Sequence, residues 1–129
     1  MAEMHSEPPP PTVRVVAGRT VVALRGEIDL LTVPSLSARL DELTAGRRPD
    51  LVVDLRDVSF IDCSGLGMLC RARNRVVAQE GRLRLVTDSP GFRRLLPPAG
   101  LAGVFELDTR LCEALAPAAD PGNLAGATG

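Results

Sequence analysis

The chain contains no lysine, no tryptophan and no tyrosine, and its only histidine is His5. Each absence removes a class of function. With aromatics at 2% of residues and a formal net charge of −1, neither a stacking platform nor a basic field for nucleic acid is present. A histidine confined to the first residues leaves a serine or cysteine nucleophile without an imidazole in the folded domain. Cys63, Cys70 and Cys112 are odd in number, form no CxxC pair and lack metal-ligand spacing. No metal site is therefore expected, and reduced thiols suit a cytoplasmic protein. No apolar stretch approaches the roughly 18–20 residues of a membrane span, and the acidic, polar start from Met1 to Pro8 does not read as a signal peptide. Gly65-Leu66-Gly67 is not a phosphate-binding P-loop, since no Gly-Lys-Ser/Thr follows. Glu27, Asp29 and Asp62 can converge as carboxylates, but no partner acid, metal or substrate pocket goes with them. The inventory predicts a protein that is not an enzyme and holds no cofactor.

What is present is one domain's worth of chain, 129 residues with 45% hydrophobic content, enough to bury its own core. All 15 basic residues are arginine, which reads as the codon bias of a high-GC genome. The organising stretch is 51–69. Leu51 to Leu55 reads as a buried strand of about 4–6 residues. A polar connector follows, then Phe60-Ile61 as an apolar anchor to the core. Asp62, Cys63 and Ser64 come next, immediately before Gly65-Leu66-Gly67 and a long helical pattern. Ser64 is the expected N-cap, its hydroxyl accepting from a first-turn N–H. Residues 62–64 thus stand at a helix N-terminus, where free N–H groups and the dipole favour negative charge.

Around this stretch the chain reads in order. Residues 1–11, ending in Pro8 to Pro11, form an expected disordered, proline-rich leader. Val13 to Val16, a Gly18-Arg19 turn and Thr20 to Leu24 predict a hairpin, and Gly26-Glu27-Ile28-Asp29 closes its second strand. Thr32 opens a first helix whose Val33, Leu36, Leu40 and Leu43 make one stripe; Gly46 ends it. The second helix runs from about Gly65 to Gln79 with Leu66, Leu69, Cys70, Val76 and Val77 inward. Arg82 to Val86 alternates like a half-exposed strand. Ser89 caps a third helix with Phe92, Leu95 and Leu96 inward. Val104 to Leu107 is a short strand, Asp108 caps a last helix to about Leu115, and 117–129 reads as a flexible tail. Strands alternating with helices after a hairpin predict an α/β layer with a mixed, mostly parallel sheet of 4–5 strands and about four helices.

Asp62-Cys63-Ser64-Gly65-Leu66-Gly67 resembles the Asp-Ser-Ser/Thr-Gly-Leu-Gly signature of STAS domains of the bacterial anti-sigma factor antagonist type. Gly26-Glu27-Ile28-Asp29 is similar to that family's Gly-Glu-Leu-Asp turn. Val52 to Phe60 resembles its strand and loop before the signature. Ser89-Pro90 through Arg94-Leu95 to Gly100-Leu101 resembles its third helix. The matches fall in order over about residues 12–116. The resemblance implies a STAS domain there, and a partner that is an anti-sigma factor and a serine kinase. In the family, that kinase docks on the signature loop and phosphorylates the hydroxyl residue after the Asp. The unmodified protein captures the anti-sigma factor and frees the sigma factor.

Here Cys63 stands at the phosphorylated position. Three readings stay open: a constitutive binder that phosphorylation does not silence, a switch moved to Ser64, or redox modification of Cys63. The expected partner surface comprises Gly26, Glu27, Ile28, Asp29 and the run Asp62, Cys63, Ser64, Gly65, Leu66, Gly67 and Met68, although Leu66 and Met68 fit the core equally well. The expected oligomeric state is a monomer or weak dimer, with no nucleic acid and no membrane insertion. Alternatives on the same fold are an accessory subunit of a lipid or solute ABC transporter, or a scaffold component of a stress-signalling complex.

Overall fold

The computed structural model describes residues 10–116. The leader expected over 1–11 lies outside the described residues up to residue 9, as does the whole tail expected over 117–129. The elements run β1 (Thr12–Val16), β2 (Arg19–Ile28), α1 (Val33–Leu43), β3 (Asp50–Ile61), α2 (Cys63–Ala78), β4 (Arg82–Val86), α3 (Pro90–Leu95), β5 (Glu106–Asp108) and α4 (Leu111–Leu115).

β-branched residues fill β1 and β2, and the hairpin between them closes at Ala17-Gly18, both at positive φ. That geometry matches the twist a two-residue loop requires, and it sets the turn one residue earlier than expected. The sheet has five strands in the order β1-β2-β3-β4-β5. β1 pairs antiparallel with β2, and the other three pairings are parallel, as successive crossovers through helices dictate.

Alternation along the strands divides the apolar residues between two faces. Val22, Leu24, Leu51, Val53 and Leu85 point to one face, where they meet Leu36 and Leu40 of α1, Leu66, Met68, Leu69, Ala72 and Val76 of α2, and Phe92 of α3. Each fully buried side chain of this size contributes roughly 1.5–3 kcal/mol. The opposite face is thin: Val21, Val52 and Val86 are covered by Ala114 of α4. That cover explains why β4 is buried rather than half-exposed. Arg84, 2% exposed, donates to the carbonyls of Ala114 and Ala116 and to Asp50 Oδ1 at 2.9 Å.

Other boundaries differ from the pattern-based reading. β3 is 12 residues long, because its ladder with β2 continues through two irregularities to Ile28↔Ile61 past Leu55, where full burial ends and Val58 and Ile61 alone still pack on the core. The segment 56–59 is therefore strand, not connector. Both irregularities place the extra residue on β3, the second at Ser59, opposite Gly26 and Glu27; with Gly26 at φ +77°, Gly26-Glu27-Ile28 is the irregular end of a strand and not a turn. Thr44, not Gly46, caps α1 at its C-terminal end. Arg110, not Asp108, precedes α4, and Glu113 Oε1 accepts from the Thr109 and Arg110 N–H groups. Phe60, Val77 and Leu95, expected to face inward, are 52%, 56% and 40% exposed.

Candidate functional site

The ends of β2 and β3 bring the two expected segments together. The Asp62 N–H donates to the Ile28 carbonyl at 3.1 Å, so the chain leaves both strands side by side at one end of the sheet. From Ile28 it turns through Asp29, whose Oδ1 accepts from the Leu31 and Thr32 N–H groups at 3.0 and 3.2 Å. Thr32 opens α1 as expected, but without a side-chain cap. Its hydroxyl instead donates to the Glu27 carbonyl at 3.0 Å.

From Ile61 the chain enters α2 directly. Asp62, not Ser64, is the N-cap: its backbone is extended and its Oδ1 accepts from the Ser64 and Gly65 N–H groups at 2.9 and 3.1 Å. The Ser64 hydroxyl donates to the same oxygen at 2.5 Å. Both residue types cap helices well; the carboxylate wins because one oxygen serves two N–H groups and a hydroxyl. These donors hold the Asp62 carboxyl below the ordinary carboxylate range, with the Ser64 hydroxyl the main cause and partial burial opposing it.

With the helix starting at Cys63, the signature splits into two faces. Cys63 and Gly67 are exposed, Ser64 is half-buried, and Gly65, Leu66 and Met68 are buried. Gly65 sits against the strand ends so closely that a Cβ there would lie 2.5 Å from Ile61 Cγ1 and 2.8 Å from Ile28 Cγ2. A Cβ at Gly67 would meet nothing within 4 Å. The open choice for Leu66 and Met68 is thereby decided for the core, at 6% and 4% exposure. Ile28 is also core, at 0%. These three shape the expected surface from beneath and offer a partner little side chain. Glu27 is exposed and Asp29 half-buried, its carboxylate already engaged by its own turn.

The pattern-based reading missed the apolar residues surrounding this loop. Leu30 and Leu31, 75% and 88% exposed, leave the sheet beside it. Phe60 and Leu95 flank it on the side of α3. Two shallow grooves meet at Ile61 and Leu95, one of about 280 Å³ bounded by Phe60 and Phe92 and one of about 360 Å³ bounded by Cys63, Leu66, Pro98 and Ala99. The doublet Leu30-Leu31, between Asp29 and the helix-opening Thr32, was the available signal, because an apolar pair inside a turn has nothing to pack on.

Chemically, the end of the sheet presents a thiol, a committed carboxylate and apolar surface. Among the described residues no group of His, Cys, Asp and Glu is placed to hold a metal ion, and no helix is long and apolar enough to cross a membrane. Cys70 is half-buried against the core, and Cys112 is exposed at α4.

A family model for the STAS domain matches residues 10–114. The chain is 34% identical over 89 residues to the anti-sigma-B factor antagonist of Bacillus subtilis, covering 69% of this chain and 81% of that protein. It is 33% identical over 98 residues to the anti-sigma-F factor antagonist RsfB of Mycobacterium tuberculosis, covering 76% and 80%. The crystal structure of an anti-sigma factor antagonist from Mycobacterium paratuberculosis superposes with a TM-score of 0.73 at 32% identity, over 81% of this chain and 89% of that one.

Proposed function

The chain belongs to the STAS domain family, and we propose that it acts there as an anti-sigma factor antagonist that stays competent to bind because its switch position cannot take the usual phosphate. On this reading it is a binding protein whose partner is a kinase-type anti-sigma factor, and capture of that partner frees a sigma factor. Support for the role comes from relatives named as antagonists that match along most of their length.

The observation that carries the second half is the arrangement of Asp62, Cys63 and Ser64. Cys63 is the exposed first residue of α2 and carries a thiol at the position that the resemblance of the signature assigns to the family's phosphorylated serine. Ser64 carries the hydroxyl, but it is half-buried and its proton is directed to Asp62 Oδ1 at 2.5 Å. Transfer of a phosphoryl group to that oxygen would break this bond. It would also set about −1.5 to −2 charge against the capping carboxylate. The arrangement favours a constitutive binder over a switch moved to Ser64. Exposed Glu27, open Gly67 and the Cys63 surface form the proposed contact, with Gly26, Ile28, Asp29, Gly65, Leu66 and Met68 shaping it.

The test uses the purified full chain, the kinase-type anti-sigma factor encoded in the same genome, and ATP. The wild-type chain is expected to form the complex and keep its unmodified mass. Cys63→Ser is expected to acquire one phosphate and to dissociate. Phosphate on Ser64 of the wild-type chain would overturn the constitutive reading, and failure of the wild-type chain to bind would overturn the antagonist role.

A further inference from the structure

Resting on the antagonist reading, we propose that the contact extends beyond the signature loop into the two grooves that meet at Leu95, where they seat the apolar side chains of an acidic amphipathic segment of the anti-sigma factor. Leu95 is the anchor. In a six-residue helix whose Phe92 and the following Leu96 are 7% and 4% exposed, it remains 40% exposed. It forms a wall of both grooves, which together offer about 280 and 360 Å³ of shallow, mostly apolar space. Phe60, 52% exposed, extends the same surface. Contiguous apolar surface of this kind marks interaction sites, whereas single exposed apolar residues are ordinary.

Two observations identify the occupant. The larger groove has Asp62 and Cys63 on its rim, so a partner held on the signature loop is already beside it. Within α3 the charge is positive: Arg93 and Arg94 are exposed, and among the described residues neither has a carboxylate within ion-pair range, exposed Asp88 standing before the cap at the other end of the helix. At 100° per residue, Arg94 stands beside the Gly91–Leu95 face that borders the groove. Asp62, on the rim of the larger groove, is engaged by three donors of its own loop. Apolar side chains for the grooves and a carboxylate for Arg94 describe an acidic amphipathic segment. A second copy of this chain would bring an equally basic rim to the same place.

Binding of the full chain to the recombinant anti-sigma factor of the same genome tests this by titration calorimetry. Leu95→Asp is expected to raise Kd about 30-fold or more, as loss of a central apolar anchor does. Arg94→Glu is expected to raise it about ten-fold, with the loss shrinking at high salt. Ala99→Arg fills the groove from an exposed position and guards against a folding defect in Leu95→Asp; it should weaken binding similarly. Val77→Asp, an exposed apolar site elsewhere on α2, should stay within about two-fold. Wild-type affinity in both Leu95→Asp and Ala99→Arg overturns the groove contact and leaves the antagonist role standing. No binding by the wild-type chain overturns both. A concentration-dependent dimer of the free chain that Leu95→Asp abolishes assigns the groove to self-association and also overturns the proposal.

Discussion

The first two turns of α2 have an inner and an outer face built from the same short signature, and the two faces answer to different demands. On the inner face, Gly65, Leu66, Met68 and Leu69 are packed against the ends of β2 and β3 and the sheet core, with Leu69 fully buried. On the outer face, Cys63 and Gly67 have open space around them. Gly65 and Gly67 show the contrast most sharply, since identical residues two positions apart meet a wall on one side and solvent on the other. A signature read as a single functional unit is therefore two things. Half of it holds the helix start to the sheet, and half is free to be touched.

Substitutions that respect or cross this division test it. The largest effect is expected at the inner side chains: Leu66→Ala and Met68→Ala each remove buried volume and should cost about 2–5 kcal/mol in denaturant-midpoint measurements. A loss below about 1 kcal/mol at both would place them outside the core. Next comes Gly65→Ala, whose new Cβ would stand 2.5 Å from Ile61 Cγ1. The overpacking cost of about 1–3 kcal/mol exceeds the helix-propensity gain of up to about 1 kcal/mol that alanine brings, so the net sign is destabilising. Gly67→Ala keeps that gain without the clash and should be neutral to stabilising by up to about 1 kcal/mol. Gly67→Gln should keep the melting temperature while weakening anti-sigma factor binding about ten-fold or more. Equal stability effects of alanine at 65 and 67 would erase the distinction between the faces.

Much of the fold was legible because it depends on periodicity. The hairpin and the stripes of α1 and α2 follow from spacing of apolar residues, and the mostly parallel pairing follows from the crossovers; the strand order β1-β2-β3-β4-β5 does not. The places where spacing failed share a cause: pattern reports burial, not hydrogen bonding. β3 continues from Arg56 to Ile61 on ladder bonds to β2 while only Val58 and Ile61 of that half still touch the core, so its second half reads as loop. Arg84 alternates with Leu83 and Leu85 like a solvent-facing residue. Its burial depends on α4, which arrives about 30 residues later, and on carbonyls at 114 and 116 that no side-chain pattern reveals. In the candidate site, the positions of Asp62 to Gly67 were legible by resemblance. The cap assignment was not, because Asp62 and Ser64 are both good capping residues and geometry alone chooses between them. Leu95 reads as inward by spacing because a six-residue helix gives too few residues to define which face is covered.

The smallest effect concerns Asp62, which joins the two faces by capping the helix from the loop. Its carboxyl is held below the ordinary value of 3.8, chiefly by the Ser64 hydroxyl and also by the Gly65 and Ser64 N–H groups. A carboxylate with a depressed folded-state pKa adds stability in full above its unfolded-state pKa and loses it as pH falls through the folded-state value. The contribution should therefore be constant from neutral pH to about pH 5 and fade below about pH 4. Asp41 and Asp54 are lowered as well, so acid weakens the whole protein and the wild-type curve alone does not isolate the cap. Asp62→Asn keeps an acceptor for the same three donors and removes only the charge. The stability gap between wild type and Asp62→Asn should be present at neutral pH and close in acid, read from urea midpoints between about pH 7 and pH 3. A gap that stays constant across that range would mean the charge is not what the three donors recognise, and that an uncharged acceptor serves the helix start equally well.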